Sequence, residues 1–415
     1  MHLRSRAART TAGLASAALL VTALTGLSAS SGAAPEATPV TSTGETTQTT
    51  RVAGQRAAIT MLPQISQPGR GTSSPARAKS VVAVKVSPRT NGRPVTLERL
   101  SGSRWVSTQK ARLNKRGLAD FAVATTSGGL PITYRAVVKK FRGKAAIKTS
   151  PVVSTEWGAA DFADTFSGRR LGPAWTDRFG DYNPAGLRRC SKGSSKAVKV
   201  RGGAVRLSVL VDKSKGGKRC TARRADGSSA GRFKYRLNGH ISTQHRVTLR
   251  YGVAAARMKF QKSKGQHASF WMQPNQPTGA ANARKGGAEI DVIEWFGHPS
   301  KNGGMTSFIY YPTKRGPKKS GDFIKNPQQY LSSRSDTWWG KYHVFSVEWT
   351  PHAYIFRIDG QETWRTSKGV SGIAQYPILS LLSSDYELPN LGGDRRLPQH
   401  MYVDWLQMWQ ADSPL

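Results

Sequence analysis

The amino-acid sequence predicts an all-β protein in which a small β-sandwich precedes a larger one. From residue 81, strand-like runs recur roughly every 10–15 residues between Gly-containing turns, a pattern typical of sandwiches. From residue 161 onward the chain is again dominated by short apolar runs, without a convincing amphipathic helix longer than two or three turns. One of these runs, 289–294, carries three carboxylates and indicates where the chemistry lies.

The first 80 residues are predicted to be an export signal followed by a linker. Three arginines precede an apolar stretch at 14–27, and small residues follow it, so residues 1–34 are interpreted as a secretion signal peptide and the protein as extracellular. A membrane anchor is the alternative, although the stretch is short and no stop-transfer segment follows. Residues 35–80, rich in Ser, Thr, Pro and Gly, are predicted to be a disordered linker.

Residues 81–156 are predicted to form the small sandwich, which is similar to immunoglobulin-like accessory domains of secreted enzymes. We expect it to act as a spacer, with carbohydrate binding as the alternative. Residues 158–412 carry a strand set that is sufficient for a domain of its own. That region is therefore expected to fold and to function without the sandwich.

The run Glu289–Glu294 has the pattern of a buried strand with acidic side chains on one face. Glu289 and Asp291 are two residues apart, so both point to the same face. Glu294 is three past Asp291 and reaches that face only if one extra residue bulges out at Val292 or Ile293. The two glutamates then lie about 13 Å apart at Cα, and their carboxyl groups can approach the ~5–5.5 Å of retaining glycosidases.

This run resembles the Glu-x-Asp-x-x-Glu signature of glycoside hydrolase family 16 in its bulged, laminarinase-like form. The resemblance continues in order along the chain over roughly 160–410. The other matching segments are 162–166 with Trp175, 251–252, 256–259, 268–272, 342–350, 358–360 and 401–405. It implies a concanavalin-like jelly-roll β-sandwich whose concave sheet forms a polysaccharide cleft. The implied activity is endo-hydrolysis of β-linked glucans or galactans.

The resemblance also implies roles for the three carboxylates. Glu289 corresponds to the nucleophile and Glu294 to the general acid/base, while Asp291 would hydrogen-bond the nucleophile and hold one proton in the cluster. Three carboxylates this close cannot all be charged cheaply, so one pKa is expected to rise. Incidental acids on a solvent-edge strand are the alternative, which fits poorly in a chain with only 24 acidic residues.

Four residues are candidates for contact with substrate. Trp271 and His267 share a face by alternation, and the family match places Trp271 in the cleft, where it would stack on a sugar ring. A core tryptophan is the alternative, and His267 fits a structural role as well as a hydrogen-bonding one. Two adjacent aromatic pairs follow, of which at most one member each can face the cleft; Tyr311 and Trp338 are the candidates.

Three functions remain open. The first is a retaining endo-hydrolase of β-1,3- or mixed-linkage β-glucan. Ser380 and Ser383 stand where laminarinase-like members often show an asparagine, and 303–308 lacks the histidine that many glucanases carry, which puts that substrate in doubt. The second is hydrolysis of an anionic galactan of the carrageenan, agar or porphyran type. The third is a non-catalytic carbohydrate-binding jelly roll, in which a carboxylate cluster would serve no purpose.

The net charge indicates which partners the protein could bind, and the cysteines indicate the compartment in which it works. The formal charge is +39, or +36 (39 − 3) without the three arginines of the predicted signal. This charge implies attraction to polyanions, such as a sulfated or uronic polysaccharide, a teichoic-acid wall or nucleic acid. We prefer the alternative that it is a generally basic surface that aids solubility and wall retention. Cys190 and Cys220 are the only cysteines and are predicted to form a disulfide in an oxidising exterior, with two buried thiols as the alternative.

Several kinds of partner are not expected. No nucleic-acid-binding signature is present, no further segment is apolar enough to span a membrane, and a monomer is expected. Metalloprotease, nucleotide-binding and G-x-S-x-G motifs are missing from the sequence. No cofactor and no metal site are predicted. A structural calcium is common in the resembling family, but no ligand cluster for it is recognisable.

Overall fold

The computed structural model describes residues 47–411, and almost all regular structure in them is β-strand. This part of the chain contains a single α-helix, α1, at Ala283–Gly286, and a few short 3-10 turns. None of its helices has the length and apolar character needed to cross a bilayer. The all-β prediction is confirmed. The predicted signal peptide and residues 35–46 of the predicted linker lie outside the described residues.

An N-terminal module of two facing sheets is formed by the first eleven strands. They are β1 (Thr47–Val52), β2 (Gln55–Ser66), β3 (Lys79–Ser87), β4 (Pro94–Ser101), β5 (Arg104–Arg112), β6 (Leu118–Val123), β7 (Thr126–Ser127), β8 (Leu130–Pro131), β9 (Thr133–Val138), β10 (Ile147–Lys148) and β11 (Val152–Val153). One sheet has the order β1-β2-β3-β6; the other has β10-β9-β4-β5, with β11 on β9, while β7 and β8 pair only with each other. Ile59, Val84, Phe121 and Tyr134 lie in the apolar core between them.

The module begins well before residue 81, so the prediction of a disordered linker over 35–80 is wrong for residues 47–80. Strand β2 carries Ala57, Ile59 and Met61 on one face, all fully buried in the core. This alternation is short, and it is followed by Pro63 within a register irregularity, where proline is tolerated because no ladder hydrogen bond is lost. Averaged over a long Ser/Thr-rich stretch, the signal was too weak to predict a strand.

The rest of the chain folds into two stacked sheets. Their strands are β12 (Phe162–Asp164), β13 (Thr176–Asp177), β14 (Ser191–Gly193), β15 (Val198–Val200), β16 (Val205–Val211), β17 (Arg219–Arg223), β18 (Ser229–Lys234), β19 (Arg236–Ser242), β20 (Gly252–Lys259), β21 (His267–Pro274), β22 (Glu289–Trp295), β23 (Met305–Tyr311), β24 (Lys318–Phe323), β25 (His343–Trp349), β26 (Tyr354–Ile358), β27 (Gln361–Thr366), β28 (Gln375–Leu382) and β29 (Gln399–Gln410).

Two layers follow from the pairing. We call β24-β23-β22-β21-β28-β19 the front sheet and β16-β29-β20-β25-β26-β27 the back sheet, joined where β19 pairs with β16. Alternate side chains of both sheets fill one core: Phe270 and Leu379 come from the front sheet, and Leu207, Phe345 and Met408 from the back sheet. This is the jelly-roll sandwich expected from the sequence. The remaining side chains of the front sheet face solvent on its other side, which we call the front face.

The back sheet is covered on its outer side by the N-terminal module. Val253, Val344 and the two tryptophans Trp405 and Trp409 point away from the jelly-roll core, yet each is at most 1% exposed. They are buried because they pack against an apolar set contributed by the module and the segment that follows it: Leu62, Ile65, Ala78, Val81 and Trp157. A freely moving spacer would not form such an interface.

The segment that connects β2 to β3 adds polar contacts to this interface. Arg257, buried on the back sheet, donates from Nε to the carbonyl of Gln67 and from a terminal nitrogen to the carbonyl of Gly71 and to the Asp404 carboxylate. The side-chain oxygen of Gln67 accepts from Trp405 Nε1 at 2.8 Å. Every buried polar group named here has a partner, which is the condition for burying it.

The disulfide prediction is confirmed. Cys190 and Cys220 are bonded, with their Cα atoms 5.5 Å apart. The bond ties the segment before β14 to the hairpin β17–β18, and both cysteines pack with Ala222 and Leu388 in a small apolar cluster. The backbone N–H of Cys190 also donates to Asp385, which fixes this corner beside the end of β28.

Candidate active site

The strand β22 is bulged, as the sequence predicted. On one side Ser269 lies opposite Glu294 and Trp271 opposite Asp291, which leaves one extra residue of β22 without a partner. On the other side the register shifts between Asp291 and Glu294 as well. Val292 and Ile293 therefore both point into the core, and the three carboxylates all reach the front face. The Ser307 hydroxyl donates to the carbonyl of Val292 at 2.8 Å and holds the bulge.

Burial and mutual repulsion govern the protonation of this cluster. Asp291 is 4% exposed, and burial, followed by the charges of Glu294 and Glu289, raises its pKa well above the usual range. The nearby Lys319 opposes this shift only in part. Burial also raises the pKa of Glu289, and the charge of Glu294 adds to it. Asp291 is thus the member of the cluster most strongly held in the protonated form.

Glu289 is held by a directed chain of hydrogen bonds. Gln273 Nε2 donates to Glu289 Oε2 at 2.8 Å. The other end of that amide, Oε1, accepts from the Tyr376 hydroxyl at 3.1 Å and from Arg178 at 3.3 Å. Arg178 can only donate, so the amide oxygen must face it and the NH2 group must face Glu289. This donation, with the positive charges of Arg178 and Arg188, lowers the pKa of Glu289 against the effect of burial.

Glu294 sits between hydroxyl groups at the other end of the cluster. Thr306 Oγ1 donates to one of its oxygens at 3.2 Å, and Ser269 Oγ is 3.5 Å from the other.

Tyr310 pairs with Glu289 across the strands and is 37% exposed. Burial, then the charges of Asp291 and Glu294, raise the pKa of its phenol, so a neutral Tyr310 hydroxyl lies beside the cluster.

Trp271 lies on the front face, directly beside Asp291. Its indole Nε1 donates to Ser380 Oγ at 3.1 Å, and its ring stacks on His240 with 6.0 Å between centroids. Burial, then the charge of Arg178, lowers the pKa of His240 to about 3, so this imidazole is neutral and acts as an uncharged support. The indole remains partly exposed, and its free ring surface is available to a sugar next to the carboxylates.

The other three predicted substrate contacts are not supported by their positions. His267 is 6% exposed, with Nδ1 at 2.9 Å from Glu387. Burial lowers the pKa of its imidazole, but the carboxylates of Glu387 and Glu294 together raise it by more, so His267 forms a buried ion pair with Glu387. Tyr311 is turned away from the front face by strand alternation and packs on the core. Trp338 is 1% exposed, with its ring 4.8 Å from that of His343.

Several residues of the site were missed in the sequence. Tyr310 is the front-face member of its aromatic pair, since it lies opposite Glu289. Gln273 is two residues after Trp271, so the same alternation that located Trp271 contained the signal for it. Arg178 and Tyr376 are far from β22 in sequence, and no local pattern marks them. Their contribution depends on the order of strands in the sheet.

Within residues 47–411, no group of three or more His, Cys, Asp and Glu side chains is arranged to hold a metal ion. The carboxylates and their neighbours can provide nucleophilic attack, proton transfer and stacking.

Comparison with known proteins places this site in context. The family model of glycosyl hydrolases family 16 matches residues 204–406. Among solved structures, the chain is similar to the laminarinase catalytic domain from Thermotoga maritima, with 16% sequence identity, a TM-score of 0.46, and coverage of 61% of this chain and 98% of that one. No curated protein matches the chain at a significant level.

Two further solved structures are similar to the same extent. The endo-β-1,3-glucanase from Pyrococcus furiosus has 18% identity and a TM-score of 0.45, over 60% of this chain and 93% of that one. The catalytic domain of an endo-1,3-β-glucanase from Thermotoga petrophila has 17% identity and a TM-score of 0.45, over 61% of this chain and 98% of that one.

Proposed function

We propose that the protein is a secreted, endo-acting β-glycanase that cleaves with retention of configuration, since the model of glycosyl hydrolases family 16 matches residues 204–406. The observation that carries this proposal is the bulged strand β22, which brings Glu289, Asp291 and Glu294 onto the front face beside Trp271. A strand gains no stability from three adjacent carboxylates, since at least one must be kept protonated. Catalysis explains the arrangement.

The proposed reaction has two displacements. In the first, Glu289 attacks the anomeric carbon while Glu294 gives its proton to the glycosidic oxygen, so the leaving part of the chain departs as an alcohol. In the second, Glu294 takes a proton from water, and that water releases the sugar from Glu289 with its original configuration. Thr306 and Ser269 keep the Glu294 carboxyl directed at the front face in both steps.

The neighbours of Glu289 support its role as the nucleophile. A nucleophile must be ionised before attack, whereas burial favours its neutral form. Gln273, held in orientation by Tyr376 and Arg178, donates to the carboxylate and favours the ionised form. Asp291, with its raised pKa, holds the proton that would otherwise compete for Glu289. Between these two neighbours, the proton therefore resides on Asp291 in preference to Glu289, as the role of a nucleophile requires.

The first substrate that we propose is β-1,3- or mixed-linkage β-glucan, because the bulged motif is of the laminarinase-like form. Trp271 and Tyr310 would contact the sugars on either side of the cleaved bond. An anionic galactan is the second candidate, and one observation favours it. Among residues 47–411 the exposed side chain of Arg188 forms no ion pair with a carboxylate, yet it is close enough to the front face to affect Glu289 and His240 electrostatically.

Secretion is part of the same proposal. The disulfide between Cys190 and Cys220 is the kind of bond that persists outside the reducing cytosol. The sequence of residues 1–34 has the features of an export signal. A polysaccharide too large to cross a membrane requires an enzyme on the outside, in agreement with both features.

The experiment that tests the proposal separates the roles of the two glutamates. Glu289→Ala should reduce hydrolysis of laminarin or lichenan by more than roughly a thousandfold, as expected for loss of a catalytic group. Azide should then restore cleavage of an activated glycoside and give the α-azide, since it attacks from the side that Glu289 occupied. Glu294→Ala should instead spare substrates with a good leaving group and give the β-azide with azide. Reversed products would exchange the two roles, and unchanged hydrolysis in both variants would refute the enzyme proposal.

A further inference from the structure

The outer side of the back sheet carries a row of basic side chains away from the proposed active site. Across neighbouring strands Lys199 lies opposite Arg206, Arg206 opposite Tyr402, and Tyr402 opposite Lys259. Residues adjacent to them in sequence, such as Leu207 and Met258, are in the core. The row therefore points outward. Because strands are spaced ~4.8 Å apart, it extends over roughly 14 Å.

A groove lies along one end of this row. It has a volume of about 1300 Å³ and is lined by residues from 167–171 and 195–206, together with Asp177 and Tyr402. Five basic residues line it, and we call them the basic groove: Arg169, Arg170, Lys199, Arg201 and Arg206. Asp177 is the one acidic residue in its lining.

The charges of the basic groove are not neutralised by the protein. In the part of the chain that the structure describes, none of the five side chains forms an ion pair, although twelve ion pairs are present elsewhere. Arg206 also has a buried Nε without a hydrogen-bond partner. An unpartnered buried donor is unfavourable unless something binds there. The segment between β2 and β3 reaches the edge of the groove, where Thr72 Oγ1 donates to the carbonyl of Gly202 at 3.3 Å, but no residue of the module lines the groove itself.

From these observations we propose that the basic groove binds a linear polyanion, a glycan or polyol chain that carries sulfate or phosphate esters. Arginine is suited to this ligand because its planar guanidinium makes paired hydrogen bonds to such oxyanions. Four of the five groove cations are arginines. The site is separate from the front face, so it would hold the enzyme on an anionic surface while the front face remains free for substrate. It does not depend on the proposed hydrolysis.

The geometry favours a flexible polyanion over a nucleic acid. Proteins that bind single strands stack successive bases on aromatic side chains. Tyr402 is the only aromatic residue that lines the groove, and the ammonium group of Lys259 already lies 4.9 Å from its ring centroid. No platform for successive bases is present there.

The experiment measures binding of the full chain to heparin and to poly(glycerol phosphate), as the sulfated and phosphorylated probes. The groove variant changes Arg169, Arg170, Lys199, Arg201 and Arg206 to Gln. A matched control changes five exposed cations of the N-terminal module to Gln: Arg104, Lys110, Lys140, Lys144 and Lys148. Both variants lose five positive charges, so general attraction falls equally in the two. We expect the groove variant alone to bind at least about tenfold more weakly and with a shallower salt dependence.

Melting temperature and hydrolysis of neutral glucan show whether the variants are folded, and both should match the unmodified protein. If the groove variant loses binding to only one probe, that probe carries the ester that the groove prefers. If it loses binding to both, the groove recognises negative charge without distinguishing sulfate from phosphate. Either result supports the proposal. Equal loss in the groove and control variants would overturn it, because net charge would then explain the binding. Absence of binding at about 150 mM salt, or tighter binding of single-stranded DNA than of both probes, would overturn it as well.

Discussion

Asp291 makes the carboxylate cluster sensitive to pH in a way that a single residue can test. Its pKa in the folded protein is raised well above the ~3.9 of an unfolded chain by burial and by Glu294 and Glu289. Folding therefore takes up a proton between these two values. The contribution of Asp291 to stability is present below about pH 4 and is lost as the pH rises through its folded pKa.

We expect Asp291→Asn to raise the melting temperature at neutral pH, since the amide cannot become a buried charge. The difference from the unmodified protein should be close to zero near pH 4 and should grow toward neutrality, by about 2–4 °C for each kcal/mol of relief. Calorimetry across this pH range provides the measurement. Asp322→Asn, a change of equal charge at an exposed position of β24, is the control and should show no such trend. A pH-independent difference would contradict the placement of the proton on Asp291.

Gln273 provides a second test at the residue scale, for a positioning role. Gln273→Leu removes the donor to Glu289, so the pKa of Glu289 should rise further and the acidic limb of the kcat/KM profile should move to higher pH. We expect kcat/KM to fall by roughly 10–100-fold, the range for a hydrogen bond to a charged group. Tyr376→Phe, which removes one of the two donors to the amide oxygen and leaves Arg178, should shift the profile in the same direction by less. A lower melting temperature with an unshifted profile would indicate that Gln273 is merely structural.

The sequence located the carboxylates and Trp271 because both depend on local alternation and on one bulge. It failed for Tyr311 and Trp338 for different physical reasons. Tyr311 belongs to an adjacent pair, and the strand phase that turns Tyr310 to the front face is set by its pairing with Glu289. Trp338 lies outside any strand, so alternation does not apply to it, and packing against His343 decides its place.

At the scale of elements, the N-terminal module is a structural part of the back sheet. We expect a fragment of residues 158–415 to be much less stable than the full chain, contrary to what the strand pattern alone suggested. Its removal exposes Val253, Val344, Trp405 and Trp409, which are now at most 1% exposed. A buried tryptophan hides up to about 250 Å², so at ~25 cal/mol per Å² the part of this burial that the module supplies contributes at most about 6 kcal/mol for each one.

The measurement is thermal melting of the fragment together with its aggregation and its binding of a hydrophobic dye. Leu62→Asp in the full chain is the matched variant, because it places a charge in the interface and leaves the jelly roll intact. It should lower the melting temperature in the same direction as the deletion. A fragment that melts cooperatively at the temperature of the full chain would show that the interface does not stabilise the jelly roll.

The extent of the module was predictable only in part. Strands from residue 81 onward alternate clearly and end at glycine turns, so their existence was legible in the sequence. Strand β2 was not, because its Ala57, Ile59 and Met61 are separated by residues that are common in linkers. β2 is a strand because it pairs with β1 on one side and with β3 on the other, and because Leu62 and Ile65 pack on the back sheet. These are long-range contacts that a local window does not contain.

The chain has a net charge of +39, and its basic residues serve different purposes in different parts of the molecule. Some cations are used internally: Arg257 pairs with Asp404 under the module, and Arg178 orients Gln273. Others, such as those of the basic groove, form no ion pair with any residue between 47 and 411. Composition alone could suggest attraction to anionic polymers, but only the strand order shows that basic residues from separate segments, 169–170 and 199–206, line a single groove.

The position of strand β29 determines the order in which the parts of the protein can fold and dock. It is the last of the described strands, yet it lies inside the back sheet between β16 and β20. Its tryptophans Trp405 and Trp409 also form part of the surface against which the module packs. The module emerges first during synthesis, as N-terminal domains do. It can fold its own core at that stage, but its docking surface exists only after some 250 further residues have been made. The apolar face of Leu62, Ile65 and Val81 therefore stays exposed to solvent until β29 has been synthesised. A chain truncated before β29 would have an incomplete back sheet, and its module could not dock.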